Sequence, residues 1–157
     1  MNFVCHFYSV SVDFLIGRNQ KNHLSQHKHL VPVLGDVPAG VPLEAVENII
    51  DYEEISEEMA RAGEYFGLRI KGDSMEPKFS SGDVVIVRKQ EQVDNGQIAV
   101  VMINGDDATV KKFYRNDTGV MLVGTNPTFV PLTYTPEQVE QLPVRVIGRV
   151  VELRAKF

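Results

Sequence analysis

The sequence predicts a mainly β fold with short helical segments. Three observations carry that expectation. Short runs rich in β-branched residues recur through the chain after residue 64, and Gly, Asp or Asn bounds them. Asn104-Gly105 sits between two such runs as a strong hairpin-turn signal. There is no internal repeat and no low-complexity tract. Many short strands joined by turns point to a β-dominated architecture.

Residues 1–16 are apolar and β-leaning, whereas 17–30 (GRNQKNHLSQHKHL) are polar and rich in His. Together residues 1–30 read as a poorly ordered N-terminal arm. They leave no room for the two amphipathic helices of a helix-turn-helix. Residues 31–157 read as the folded domain. Its opening VPVLGDVPAGVPLEA carries Pro32, Gly35, Pro38, Gly40 and Pro42 and is expected to be extended and turn-bearing, not helical. An acidic block then runs over residues 44–58, with seven acidic residues and no basic one. It reads as a solvated surface, with a short helix over 56–62 capped by Ser56. Strands are expected over 65–71, 83–89, 97–103, 108–115, 120–123 and 144–153, with turns at Asn104-Gly105 and over 116–119.

The chain of 157 residues is long enough for one domain that buries a core without disulfides or metal. Its one cysteine, Cys5, excludes a disulfide framework and a Cys-based zinc site, and fits a reducing, cytoplasmic setting. Cys5 has no partner motif and reads as an incidental apolar residue. The formal net charge of −5 argues against phosphate-driven nucleic-acid binding, which needs a basic stripe. Residues 1–30 carry Arg18, Lys21 and Lys28 against Asp13, a net +2, so the remainder carries −7. The apolar run over 3–16 is broken by His6 and Asp13 and is too short to span a bilayer. It lacks the basic start and the small-residue site of a signal peptide. His23, His27 and His29 have no Cys or carboxylate neighbours, and no metal or cofactor is expected.

The segment that carries chemistry is KGDSMEP, residues 71–77. A strand is expected to end at Gly72, and Pro77 suits the first turn of a short helix. A serine at such a junction lies near free backbone N–H groups that can hold an oxyanion. The bland reading is that Ser74 merely caps the helix. A serine nucleophile needs a base. All four histidines fall in the arm, so a Ser-His-Asp triad within the domain is excluded, and the available base is a lysine kept neutral by desolvation. Lys111 and Lys112 are adjacent on an expected strand and so face opposite ways. Lys111 shares its face with Thr109 and Phe113, and Lys112 with Val110 and Tyr114. Periodicity alone does not say which points inward. Asp73 reads as a turn or capping residue, because a carboxylate beside a nascent oxyanion would repel it.

From about residue 31 to its end the chain resembles the self-cleaving C-terminal domain of LexA and phage CI-type repressors, a group that includes UmuD-type proteins. GDSMEP (72–77) looks like the nucleophile motif. TVKKF (109–113), 37 residues after the serine, looks like the general-base motif, in which the lysine directly follows the valine; that picks Lys111. Ala39-Gly40, 35 residues before the serine and within the segment 31–44, looks like the scissile bond. The resemblance implies a LexA/signal-peptidase-like β-rich fold with a Ser74–Lys111 dyad. It implies a serine endopeptidase acting mainly on itself, and an oxyanion hole of backbone N–H groups at Asp73 and Ser74. It also implies homodimers formed partly through the last strand, and cleavage triggered by the recombinase filament on single-stranded DNA.

A repressor of that kind carries a helix-turn-helix domain ahead of the cleavage segment, and about 30 non-matching residues stand there instead. Direct DNA binding is therefore not expected of this chain, which reads as a truncated repressor, a stand-alone peptidase domain or a UmuD-like polymerase accessory. The reading from another class is a catalytically inactive dimerisation and partner-binding module. Burial of Lys111 and its distance from Ser74 discriminate that module from an enzyme.

Overall fold

Nine strands join into one sheet in the order β2-β1-β3-β4-β9-β5-β6-β7-β8 in the computed structural model, which describes residues 28–37, 48–105 and 108–155. The strands are β1 (His29–Leu34), β2 (Ile49–Ile55), β3 (Tyr65–Arg69), β4 (Val84–Lys89), β5 (Ile98–Ile103), β6 (Thr109–Asn116), β7 (Gly119–Val123), β8 (Leu132–Tyr134) and β9 (Val144–Arg154). Two six-residue helices, α1 (Glu57–Ala62) and α2 (Pro136–Gln141), bury none of their residues. Neighbouring strands run antiparallel except β1 and β3, which pair in parallel through Val33–Gly67 and Leu34–Leu68. The fold is mainly β, as the strand-and-turn pattern predicts.

β4 and β5 hold the apolar runs 84–87 and 98–103 because both faces of the sheet are covered there. In β4, Val85 and Val87 join one core with Val100, Val110, Phe66 and Met75, while Ile86 points the other way to Val31 and Ile55. In β5, Val100 belongs to the first core, whereas Ala99 and Val101 pack with Phe113 and Leu122 on the opposite face. Strand alternation thus divides one run of β-branched residues between separate cores. At Gly148, β9 passes so close to β4 that a Cβ would lie 2.5 Å from the Arg88 carbonyl oxygen, which leaves room for glycine alone.

The expected hairpin between β5 and β6 forms. Asn104 and Gly105 both take positive φ, 51° and 71°, as the tight turn demands. The turn between β6 and β7 closes on the Asn116 side chain, whose Oδ1 accepts from Thr118 N–H at 2.8 Å. α1 starts where expected, with Ser56 Oγ accepting from Met59 N–H at 3.2 Å.

Two strands, β2 and β1, differ from expectation. Part of the acidic block is strand β2 at one edge of the sheet, paired with β1 from His29–Ile55 to Leu34–Ile49. An edge position keeps its carboxylates in water, and Arg154 reaches across to Glu53 Oε2 at 3.4 Å and to the Glu54 carbonyl at 2.9 Å. His29, expected in the arm, opens β1. Pro32 lies in β1 where only β2 is its neighbour, since pairing with β3 starts at Val33, so its missing N–H is tolerated. The expectations for residues 1–27, including Cys5, His6, His23 and His27, lie outside the described residues.

Candidate active site

β3 ends at Arg69, and the loop that follows is pinched at its base. Ile70 N–H donates to the Asp83 carbonyl at 2.7 Å, and Gly82 N–H to the Ile70 carbonyl at 2.9 Å. Gly72 takes φ 78°, which turns the chain back, and Met75 and Phe79 anchor the loop in the main core. Ser74 lies half-buried between them and the cleft. No helix follows it. The loop proceeds through turns, with Glu76 N–H donating to the Asp73 carbonyl at 3.1 Å and Phe79 N–H to the Met75 carbonyl at 2.9 Å. The expected helix does not form, and the carbonyls of residues 73–76 are engaged by another segment. With no helix to cap, the capping role for Ser74 falls away.

β6 carries the two lysines. Lys111 pairs with Ala99 of β5, and Lys112 with Ile98 and with Val123 of β7, so their side chains leave the sheet on opposite faces. The Lys111 Nζ lies 2.8 Å from Ser74 Oγ, 3.0 Å from Thr109 Oγ1 and 3.3 Å from the Val110 carbonyl oxygen. No carboxylate pairs with it among the described residues. Burial therefore goes uncompensated and lowers the Lys111 pKa from the ordinary lysine value of 10.5. A neutral amine has two N–H bonds and one lone pair. Thr109 Oγ1 and the Val110 carbonyl can take the two N–H bonds, and the lone pair then faces the Ser74 hydroxyl. That arrangement can accept a proton from Ser74.

The space in front of Ser74 is a cleft of about 100 Å³, bounded by Gly35 and Asp36 after β1, Leu68 and Ile70 at the end of β3, and Thr109. The Val37 carbonyl accepts from Ala108 N–H at 3.2 Å, and the Val37 side chain is buried in the main core. Ala39 and Gly40 lie outside the described residues. Asp73 is exposed, and its carbonyl serves the turn. Among the described residues neither the Asp73 nor the Ser74 N–H has an acceptor.

The structure also brings in residues that sequence reasoning missed. Gly124, Thr125 and Asn126, just after β7, lie against the Ser74 loop. A Cβ on Gly124 would come within 2.3 Å of the Ser74 carbonyl oxygen. Asn126 N–H donates to that same carbonyl at 3.0 Å, and Asn126 Nδ2 to the Asp73 carbonyl at 3.0 Å. Thr125 Oγ1 donates to the carbonyls of Met75 and Glu76. The Gly-Thr-Asn-Pro string signals a turn, but nothing in it says which carbonyls the turn would hold. No group of three metal-binding side chains occurs among the described residues, nor any helix long and apolar enough to cross a membrane.

The Peptidase S24-like family model matches residues 32–151. Among curated proteins, a LexA repressor from Halalkalibacterium halodurans is 43% identical over 106 residues, covering 67% of this chain and 51% of its own. One from Desulforamulus reducens is 42% identical over 128 residues, covering 81% of this chain and 56% of its own. One from Lacticaseibacillus casei is 37% identical over 135 residues, covering 85% of this chain and 62% of its own. The chain thus spans between half and two thirds of the length of these relatives.

Proposed function

The chain belongs to the Peptidase S24-like family, and from that premise we propose a serine peptidase that cuts its own backbone between Ala39 and Gly40. Ser74 is the nucleophile and Lys111 the general base. The observation that carries this reading is the 2.8 Å contact between Lys111 Nζ and Ser74 Oγ, made by a lysine that burial pushes toward its neutral form. Neutral Lys111 takes the Ser74 proton as Oγ attacks the Ala39 carbonyl. The N–H groups of Asp73 and Ser74 hold the oxyanion. Lys111 then returns the proton to the departing Gly40 amine, and water releases the acyl group from Ser74.

Chain connectivity supports cutting in cis. Val37 is tied to Ala108, next to the Thr109 that contacts Lys111. Two residues span at most about 7 Å, which is the length of chain between Val37 and the proposed scissile bond. Small residues on both sides of the bond let the backbone approach Ser74 closely.

The setting we propose is a LexA-like repressor context, in keeping with the name of the relatives, with cleavage stimulated by a recombinase filament on single-stranded DNA. A homodimer through β9 belongs to the same reading. A non-catalytic module would be expected to carry an outward-pointing Lys111, and the contact with Ser74 weighs against it. A UmuD-like accessory shares the chemistry and differs in partner, which would show as polymerase binding after cleavage.

Intact-mass spectrometry of the purified chain, incubated at neutral and alkaline pH, tests the reading. The expected product has 157 − 39 = 118 residues. It should vanish in Ser74→Ala and Lys111→Ala and persist in Lys112→Ala. A chain that stays intact even with recombinase filament added overturns the peptidase.

A further inference from the structure

Four consecutive carbonyls, those of Asp73, Ser74, Met75 and Glu76, each lie within hydrogen-bond reach of a donor on Thr125 or Asn126, the Thr125 hydroxyl being shared between Met75 and Glu76. The contact is tight, because Gly124 has no space for a Cβ against the Ser74 carbonyl. In a planar trans peptide the carbonyl of one residue and the N–H of the next point in opposite directions. The Asp73–Ser74 peptide is trans. A donor that fixes the Asp73 carbonyl therefore fixes where the Ser74 N–H points. Two donors hold that carbonyl, Glu76 N–H at 3.1 Å within the loop itself and, from outside the loop, Asn126 Nδ2 at 3.0 Å. Asn126 N–H does the same for the next peptide by holding the Ser74 carbonyl at 3.0 Å.

We propose that Asn126 is the positioning residue of the oxyanion hole: its side-chain amide holds the Asp73 carbonyl so that the Ser74 N–H is aimed, without an internal partner, at the cleft. The consequence for catalysis rests on the peptidase reading above; the orientation of the peptide does not. Asn126 is itself held by the opposite end of its amide. Its Oδ1 accepts from Thr128 N–H at 3.0 Å and from Thr128 Oγ1 at 2.8 Å. This splits the side chain into a donor half that serves the nucleophile loop and an acceptor half that closes its own turn. The two halves can be removed separately.

The test uses the full chain in four forms: wild type, Asn126→Ala, Asn126→Asp and Thr128→Ala. Asn126→Asp keeps the acceptor for Thr128, loses the donor to Asp73 and adds a carboxylate charge there, so it is read beside Asn126→Ala, which adds none. Self-cleavage is followed across pH by intact mass, and the order of the Ser74 amide is followed by ¹⁵N relaxation at low pH, where cleavage is slowest. Removing a preorganised oxyanion donor costs about 100–1,000-fold in rate, so mis-aiming one should lower the alkaline plateau by roughly 10- to 100-fold in both Asn126 variants. The midpoint pH of Asn126→Ala should stay where it is in the wild type, because Lys111 is untouched. The Ser74 amide should lose order in Asn126→Ala, and Thr128→Ala, which keeps the Thr128 N–H donor to Oδ1, should lose less of the plateau than either Asn126 variant. If Asn126→Ala does not fold, the order of the Ser74 amide in Asn126→Asp carries the test: loss of order supports the proposal and an unchanged amide overturns it.

An Asn126→Ala plateau within about twofold of the wild type overturns the proposal. So does a midpoint that rises together with a loss of thermal stability, because that marks general loosening around Lys111. If the wild type stays uncut under every condition, the peptidase reading falls by itself. The Ser74 amide then decides the positioning claim: loss of order in Asn126→Ala supports it, and an unchanged amide overturns it.

Discussion

The Val37 carbonyl accepts a hydrogen bond from Ala108 N–H at 3.2 Å, which ties the segment after β1 to the strand that carries Lys111. The Val37 side chain is 2% exposed and packs in the same core as Met75, the neighbour of Ser74. Val37, two residues before the proposed scissile bond, is thereby held in the same core as the neighbour of the proposed nucleophile. On the proposed reading the reaction runs within one chain. The first-order rate constant of self-cleavage should not change over a hundredfold dilution, measured by intact mass. Val37→Ala removes two buried methyl groups and should destabilise the fold by about 2 kcal/mol. It should also slow cleavage, read in buffer where the variant remains folded. A rate that scales with concentration would show that one chain cuts another.

The pH dependence follows from Lys111. Burial lowers its pKa below 10.5, and the neutral amine is the base, so cleavage should accelerate as pH rises and level off below that value. Stability carries the matching signature. The unfolded chain binds a proton at this lysine more tightly than the folded one does. Folding is therefore penalised at pH values below the folded pKa, and the penalty disappears as pH rises to 10.5. Lys111→Met removes the penalty and should raise Tm by roughly a few degrees near neutral pH, with a shrinking difference toward alkaline pH. Solvent access on the exposed side of Lys111 keeps the gain small. Thermal melts of both chains across pH check it.

Much of this architecture was legible in the amino-acid string, for reasons that differ by element. β4 and β5 hold apolar runs rich in β-branched residues because both of their faces are buried, and Asn104-Gly105 demands a tight turn. β2 was not legible: its Ile and Tyr positions are diluted by carboxylates that an exposed edge tolerates. α2 was missed because it is only six residues long, with Val139 its single aliphatic side chain and none of its residues fully buried. Its start is set by Thr135 and Gln138 capping each other, which leaves no hydrophobic period to read. The two site residues differ again. Alternation separates Lys111 from Lys112 but cannot tell which faces Ser74, and only the TVKKF resemblance chose. Asn126 carries no chemistry that would mark it, and its contact with Asp73 spans 53 positions.

Gly124 offers a test of how rigidly the nucleophile loop is held. A Cβ there would meet the Ser74 carbonyl oxygen at 2.3 Å, backbone against backbone, with no flexible side chain to yield. Gly124→Ala should therefore push the two loops apart, at a cost of about 1–3 kcal/mol in urea denaturation. Because the displaced group is Ser74 itself, cleavage should fall further than the stability loss explains when both are read under fully folded conditions. Cleavage at the wild-type rate would mean that the loop absorbs the displacement elsewhere.

The last strand makes the proposed homodimer testable. β5 pairs with β9 from Val144 to Arg149, and β4 from Gly148 to Arg154. Over residues 150–154, β9 therefore has β4 on one side and no described strand on the other. An unpaired edge of this kind can accept a strand from a second copy. Beside it lies an open groove of about 460 Å³, lined by Phe79, Ile98, Val150 and Leu153 among others. Leu153 is 41% exposed, so a lysine there leaves the core intact while placing a charge in the groove. Sedimentation should show wild-type dimers that weaken by about tenfold or more in Leu153→Lys, the effect of losing one well-packed apolar contact of about 1.4 kcal/mol. The like charges that face each other across a two-fold axis add to the loss. A variant that associates as tightly as the wild type would place the dimer contact on another face of the sheet.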